Sequence, residues 1–394
     1  MDNQYNLNSH IKKEFFVKTL FFVSAIFFVL FCGCAPHKIS RIPLMHDEPV
    51  IEQPAVKIKK ATISFAGDCT LGGDRERQGY YGHFDWYFNE IAKKDHSYFL
   101  SGVKEIFEKD DYTIVNLECP LTDFKNIREK DPKAAKTGKK NEKKPPKKSK
   151  HKYYNFKGLP EYAIILSSGN VDAVSMANNH SYDYGQEGYD ETLQTLKKFG
   201  IDYAAYDDYI LKEINDIKIG VLSYAQISHK PASKSEIKTA IDNLKEQGAE
   251  VIIVCQHNGV EGSYYPTESQ KELARFIIDS GADIYVGHHP HTLQGIELYE
   301  GKHILYSLGN FVFGGNSNPK DKDSLIAQIL IEIVEEEKTL ELNLIPVSIS
   351  SIKERNDYRP KILEGDEKKR VLDKINELSK DLNFEWTEET NNKE

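Results

Sequence analysis

Five short clusters in this sequence bring together residue types that bind metal ions or move protons. They are Gly67-Asp68, Asn116-Leu117-Glu118, Asn178-Asn179-His180, Gln256-His257-Asn258-Gly259 and Gly287-His288-His289-Pro290-His291. Taken singly, each has an ordinary reading: an Asp after a strand commonly caps a helix or turn, and an isolated His is commonly structural. His289 and His291 are more specific, because the proline between them fixes the intervening backbone. Together the clusters hold two carboxylates, an amide oxygen and three or four imidazoles. That mixture of N and O donors suits Zn, Mn or Fe(II) better than Ca, and the absence of cysteine pairs argues against a structural zinc finger. Two such ions a few ångströms apart would clamp a phosphoryl group and generate hydroxide at neutral pH. A histidine beside them would protonate the leaving oxygen.

For these clusters to converge, the chain must deliver them to one edge of a sheet. Strands are expected over 62–66, 112–116, 171–176, 218–224, 250–255, 283–286 and 303–306, followed by a β-rich return through 324–334 and 339–349. Amphipathic helices are expected over 98–108, 160–168, 187–199, 233–246 and 267–279. Near-continuous apolar strands separated by amphipathic helices indicate an α/β fold whose sheet is covered on both faces. Five strands end at the five clusters, and ligands in such sheets sit beyond the carboxyl ends of the strands. Val371, Leu372, Ile375, Leu378 and Leu382 recur at helical spacing, so the tail 351–394 reads as a helix packed on the body.

The 394 residues carry a net charge of −9, unevenly spread. Between Lys125 and Lys152, thirteen Lys or Arg face Glu129, Asp131 and Glu142, a local balance of +10 that leaves −19 for the rest. This segment, with Pro132, Pro145 and Pro146 and no apolar run, reads as a disordered insertion. It is either a solvated loop or an electrostatic contact for anionic lipid headgroups, a phosphorylated glycan or an acidic polymer. No nucleic acid is expected as a partner. At the N-terminus, Lys12, Lys13 and Lys18 precede an uncharged run over 19–31, too short for a transmembrane helix but suited to a signal peptide. The run ends in Phe31-Cys32-Gly33-Cys34, which resembles a lipoprotein signal with Cys34 as the acylated residue, although Phe31 and Cys32 depart from the usual pattern. Residues 1–34 are thus a cleaved lipoprotein signal or an uncleaved anchor, and the Pro-containing stretch 35–59 is a tether. Both readings put the body outside the cytoplasmic membrane. Cys69, Cys119 and Cys255 are either buried small residues or thiolates near the metal site.

An ordered set of motifs resembles a known family. It comprises Phe65-Ala66-Gly67-Asp68, Asn116-Leu117-Glu118, Ala177-Asn178-Asn179-His180 with Asp183-Tyr184-Gly185, Gly287-His288-His289-Pro290-His291 and Tyr306-Ser307-Leu308-Gly309-Asn310-Phe311. It is similar to the CapA/PgsA family, bacterial capsule (poly-γ-glutamate) synthesis proteins related to the calcineurin-like metallophosphoesterases, over roughly residues 60–350. The resemblance implies a four-layer α/β/β/α sandwich. By position it implies that Glu118, Asn179, His257 and His289 hold one divalent metal, and Asp68, Glu118 and His291 a second. It also makes His180 the candidate general acid. One departure stands out: Thr70 occupies the place of a ligand histidine, so the second position is under-coordinated unless Asp74 or a water substitutes, and the site holds one ion or two.

On this reading the protein is a metal-dependent, phosphoesterase-like hydrolase acting in capsule or exopolymer biosynthesis. The alternative is a non-catalytic envelope protein that binds, exports or anchors an anionic polymer, and a scaffold with relic site residues is the third. Poly-γ-glutamate itself is not implied as substrate by these residues, and no Gly-x-x-x-x-Gly-Lys phosphate loop is present.

Overall fold

The computed structural model describes residues 57–125, 154–228 and 230–387. The signal segment with Cys34, the tether up to residue 56 and residues 126–152 of the lysine-rich insertion lie outside the described residues. The chain builds half of one sheet, then all of a second, and returns to complete the first. β1 (Ile58–Thr70), β2 (Tyr112–Leu117), β3 (Ala173–Ser175) and β4 (Asp202–Ala204) are parallel neighbours in that order. α1 (Gly185–Lys198) lies between β3 and β4 in sequence. The second sheet takes β5 (Ile210–Ile214), β6 (Ile217–Ala225), β7 (Val251–His257), β8 (Ile284–His288), β9 (Ile296–Tyr299) and β10 (Lys302–Leu305), in the spatial order β9-β10-β8-β7-β6-β5. Its four inner strands are parallel and its two edges antiparallel. α2 (Lys234–Glu246) and α3 (Glu268–Asp279) connect β6 to β7 and β7 to β8. β11 (Asn310–Phe313) then pairs in parallel with the end of β1, and β12 (Asp323–Val334), β13 (Glu337–Ser348) and β14 (Lys361–Ile362) extend the first sheet antiparallel beyond β1. The result is a mixed α/β fold with parallel and antiparallel strands.

Side-chain alternation along the strands sorts the apolar residues into three cores. Ile63, Phe65 and Ile114 of the first sheet share a core with Ile219, Val221, Ile253 and Val286 of the second. Ala66, Val115 and Val174 share another with Phe84, Phe99, Tyr162, Leu166 and Leu196. Leu222, Ile252, Val254 and Tyr285 share the third with Ile237, Ile241 and Leu244 of α2 and Leu273 and Ile277 of α3. Burying each such aliphatic side chain contributes roughly 1.5–3 kcal/mol. α2 and α3 both start on a capping box, Ser233 with Glu236 and Thr267 with Gln270, which satisfies backbone N–H groups at both ends of the motif.

Several expected elements change in extent. The strand expected to stop at residue 66 continues to Thr70, because β11 supplies a new partner from Asp68 onward. The helix expected over 98–108 reduces to Lys104–Phe107, preceded by a 3-10 turn at His96–Tyr98. Between them Gly102 meets the Pro360 segment, where a Cβ would stand 2.2 Å from the Pro360 carbonyl oxygen, so only glycine fits there. The tether expected up to residue 59 gives way to strand at Ile58. β5 and β11 were not anticipated, since one carries Lys212 and Glu213 mid-strand and the other is four residues long directly after a glycine.

α4 (Gly365–Ser379) buries Val371, Leu372, Ile375 and Leu378, and its polar side is tied to the start of β12. Arg370 donates to both carboxylate oxygens of Asp323 at 2.9 and 2.7 Å, and Lys374 Nζ donates to Asp321 at 2.8 Å and to Asp323 at 2.9 Å. Burial alone would raise the Asp323 carboxyl, but Arg370 and Lys374 outweigh it and hold its pKa below the usual carboxylate value. A lowered folded-state pKa means stability that is fully present above the unfolded pKa of about 4 and lost as pH falls through the folded one. Asp323→Asn is therefore expected to lower unfolding stability by about 1.5–3 kcal/mol at pH 7. Denaturant titrations should show the gap to wild type closing as pH is taken below about 4.

Candidate metal centre

Asp68 reaches the site because two backbones meet behind it. Gly67 lets the Gly309 carbonyl approach to where a Cβ would stand only 2.1 Å away, and Asp68 N donates to that same carbonyl at 3.0 Å. Gly309 itself holds φ at +73°, a region that favours glycine. The Asp68 side chain is fully buried, with Oδ1 accepting from Asn116 Nδ2 at 2.8 Å and lying 3.3 Å from His288 Nδ1. Its Oδ2 is 3.2 Å from His291 Nδ1 and has no hydrogen-bond donor.

Glu118 follows β2 immediately, and its backbone N–H donates to Cys69 O at 2.8 Å, locking the two carboxylate-bearing chain segments side by side. Its side chain has no solvent exposure, and neither carboxylate oxygen has a hydrogen-bond partner. Oε1 lies 3.5 Å from His257 Nε2 and 3.8 Å from His291 Nε2. An unpaired buried carboxylate costs several kcal/mol unless something positive answers it.

The second sheet and the turn after β3 supply the remaining donors. His257 ends β7, and its Nε2 stands 2.7 Å from Asn179 Oδ1 and 3.1 Å from His289 Nδ1. One donor atom each from Glu118, His289 and His291 lie within 4.8 Å of one another. His289 and His291 hold φ at +100° and +58°, left-handed conformations that cost about 1–3 kcal/mol each and persist where surroundings enforce them. Asn310 fixes the His291 ring: its Oδ1 is 3.0 Å from Nδ1, and its Nδ2 donates to the His291 carbonyl at 3.0 Å. That arrangement directs Nδ1–H to Asn310 and turns Nε2 toward Glu118 Oε1, 3.8 Å away.

The electrostatics favour a cation. Burial pushes the Glu118 carboxyl up to about 8, opposed by His291 and reinforced by Asp68. Burial would likewise raise Asp68, but His288 and His291 beside it hold it well below the usual range. His291 rises to about 10, since Glu118 and Asp68 outweigh its burial. Burial keeps His257 well below, and His289 at about 4, so both present neutral rings. Mixed N and O donors, orphaned carboxylate oxygens and neutral imidazoles together fit a divalent transition metal.

His180 stands at the rim. Its Nδ1 is 2.7 Å from Asp183 Oδ2, which also accepts from Phe156 N at 2.7 Å, and the Phe156 ring lies 4.3 Å from the imidazole. Burial would lower its pKa, but Asp183 outweighs this and raises it.

All six expected ligands, Asp68, Glu118, Asn179, His257, His289 and His291, are thus neighbours of at least one other. The threesome of Glu118, His289 and His291 crosses the two expected halves. Thr70 is buried with its hydroxyl directed to the Glu118 carbonyl at 3.4 Å. Asp74, weighed as a substitute ligand, instead caps the turn Arg75–Arg77 through Glu76 N and pairs in a two-residue bridge with Phe156. Cys69, Cys119 and Cys255 are buried free thiols, each pushed up by burial, Cys69 and Cys255 to about 12, which favours the reading as buried small residues. Asn116, His288, Asp183 and Asn310 were quoted within motifs but given no role. Their position beside ligands was the only signal in the sequence.

Residues 62–315 match the family described as bacterial capsule synthesis protein PGA_cap. The chain belongs to this family. Among PGA_cap relatives, the PGA biosynthesis protein CapA of Bacillus subtilis is 30% identical over 358 residues, covering 85% of this chain and 83% of its own. The capsule biosynthesis protein CapA of Bacillus anthracis is 27% identical, covering 74% and 68%. A probable polyglutamine synthesis accessory protein of Mycobacterium tuberculosis is 25% identical over 39% of this chain and 48% of its own.

With Glu118 raised to about 8, an ion entering the PGA_cap site near neutral pH must displace its proton. Calorimetric titration of chelator-treated protein with Zn²⁺ or Mn²⁺ in buffers of different ionisation enthalpy should therefore show proton release. Affinity should rise from pH 6 to pH 8, whereas a pH-independent affinity would remove Glu118 from the ligand set. His289→Gly should be about 1 kcal/mol more stable to denaturant than His289→Ala, because glycine tolerates the +100° φ.

Proposed function

We propose that this capsule-synthesis family member is a metal-dependent hydrolase of the metallophosphoesterase type, acting on a phosphoester or related bond of an envelope polymer. The observation that carries the reading is Glu118: fully buried, with both oxygens unbonded, facing His257 and His291. The three cores, one shared between the sheets and one on the other side of each, support a four-layer α/β/β/α arrangement. One or two ions of Mn, Fe or Zn held by Asp68, Glu118, Asn179, His257, His289 and His291 would supply a hydroxide nucleophile and polarise the bond under attack. The chain's own residues do the rest. Asp68 offers Oδ2 because Asn116 and His288 occupy Oδ1. His180, held by Asp183 and with its pKa raised by it, is the residue placed to donate a proton to the leaving oxygen.

Attachment to the membrane through Cys34, or through an uncleaved signal anchor, would place this chemistry at the outer face of the membrane. Among the described residues no helix is long and apolar enough to span one. A second reading, polymer binding without hydrolysis, draws support from Thr70 at a ligand position and from the +10 balance over 125–152.

Elemental analysis of protein purified without chelator is expected to find one or two equivalents of transition metal, lost in a His289→Ala, His291→Ala double variant. With metal present, hydrolysis of a chromogenic phosphodiester should fall about 100-fold or more in His291→Ala. His180→Ala should slow poor leaving groups by about 10²–10⁴ and good ones far less, the signature of a general acid. A folded protein that takes up no metal would sink the hydrolase and leave the binding reading.

A further inference from the structure

Lys157 is an anomaly. The residue is 8% exposed, and its Nζ makes one hydrogen bond, to Phe124 O at 2.9 Å. Among the described residues no carboxylate pairs with it. Glu191, close by, is committed to the Thr122 hydroxyl and to Asp123 N, and Asp123 is exposed. The Tyr184 ring, 5.1 Å from Nζ, offers partial compensation through its π face. Burial lowers the lysine's pKa, opposed by the nearby carboxylates Asp123 and Glu191 and reinforced by Lys125 and Arg75.

Tyr184 is a second anomaly at the same place. It is 2% exposed, and its hydroxyl has no hydrogen-bond partner. Arg75 is near enough to act on its ionisation, and that arginine is exposed with no ion pair among the described residues. Asp74 completes the group: Oδ1 caps Glu76 N, and Oδ2 is buried without a partner. The strand bridge Gly73–Asp74 with Phe156–Lys157 and the backbone bond from Arg75 N to Asn155 O at 3.1 Å hold these residues together. A largely buried ammonium with no carboxylate in direct contact and a buried hydroxyl with no hydrogen-bond partner among the described residues are each unfavourable, and here they adjoin.

We propose that Lys157, Tyr184 and Arg75 form an oxyanion subsite that takes a carboxylate or phosphate of the substrate polymer. Asp74 Oδ2 accepts from an N–H or O–H donor next to that oxyanion. The proposal rests on the hydrolase reading only for the direction in which the polymer runs. Lys157 follows Phe156, which lies against His180, and Tyr184 follows Asp183, which holds His180. The subsite is thus tied to the His180 corner through the backbone of Phe156-Lys157 and Asp183-Tyr184. The polymer's oxyanion would give Lys157 a directly contacting ion pair and Tyr184 an acceptor, which makes the subsite selective for anionic repeats.

The test is calorimetric binding by the full chain at fixed ionic strength. Inorganic phosphate and a short glutamate oligomer are the two probes. Metal-stripped protein and the His289→Ala, His291→Ala double variant are used alongside wild type, so that binding at the metal centre is not counted. The expected result is binding of one or both probes that survives metal removal and weakens about 10-fold or more in Lys157→Met and in the conservative Tyr184→Phe. A smaller loss is expected in Arg75→Ala. Preference for phosphate or for the oligomer assigns the source of the oxyanion. Lys157→Met should also match or exceed wild type in thermal stability, since an apolar chain replaces an uncompensated buried charge, whereas a purely structural lysine would lose stability. Absence of binding by metal-stripped protein, or unchanged affinity in both Lys157→Met and Tyr184→Phe, would overturn the subsite. Failure of the hydrolase reading would show instead as missing metal, with probe binding intact.

Discussion

Two carboxylates are buried at the ends of adjacent parallel strands, and their mutual repulsion is the constraint that the surrounding structure answers. Asp68 and Glu118 could not both remain in the interior without positive charge and hydrogen-bond donors around them. Asn116 and His288 take one oxygen of Asp68. His291 stands between the two acids and is driven toward its charged form by both. Asn310 then orients that ring. Much of what looks like loop detail, from the glycine contact behind Asp68 to the left-handed backbone around Pro290, serves to bring these groups into register.

The main architecture was legible because its signals are periodic. Apolar runs of strand length alternate with helices whose buried positions repeat every three or four residues, as in Ile237, Ile241 and Leu244. The strand-end clusters were legible for a related reason: polar residues that follow an apolar strand have nowhere to go but the edge of the sheet. What could not be read was anything decided by a partner distant in sequence. β1 runs on past its glycine because β11, more than two hundred residues later, pairs with it. Near residue 100, Gly102 is required by the Pro360 backbone, a contact that comes from more than two hundred and fifty residues further along the chain.

The site followed the same division. Residue types announced the ligands, but not the groups that position them. Asn116 and Asn310 look like ordinary strand-end amides until the structure shows one donating to Asp68 and the other holding His291 by its ring Nδ1 and its backbone carbonyl. His288 was hidden among three histidines, and only its place beside His257 across β7 and β8 turns it toward Asp68. Asp74 and Lys157 were invisible as neighbours, since the bridge that joins their strands spans the two sides of the lysine-rich insertion.

The order of donors along the chain has a consequence for biogenesis. Asp68, Glu118 and Asn179 belong to the first sheet and its loops, whereas His257, His289 and His291 come from the second. A chain emerging N-terminus first presents two acids and an amide, a poor trap for a transition metal. The imidazoles arrive last, and Asn310, which sets the final ring, lies beyond them all. The six donors therefore come together only after nearly the whole domain has been made, and any ion they take is one met by the folded chain rather than by its nascent N-terminal half.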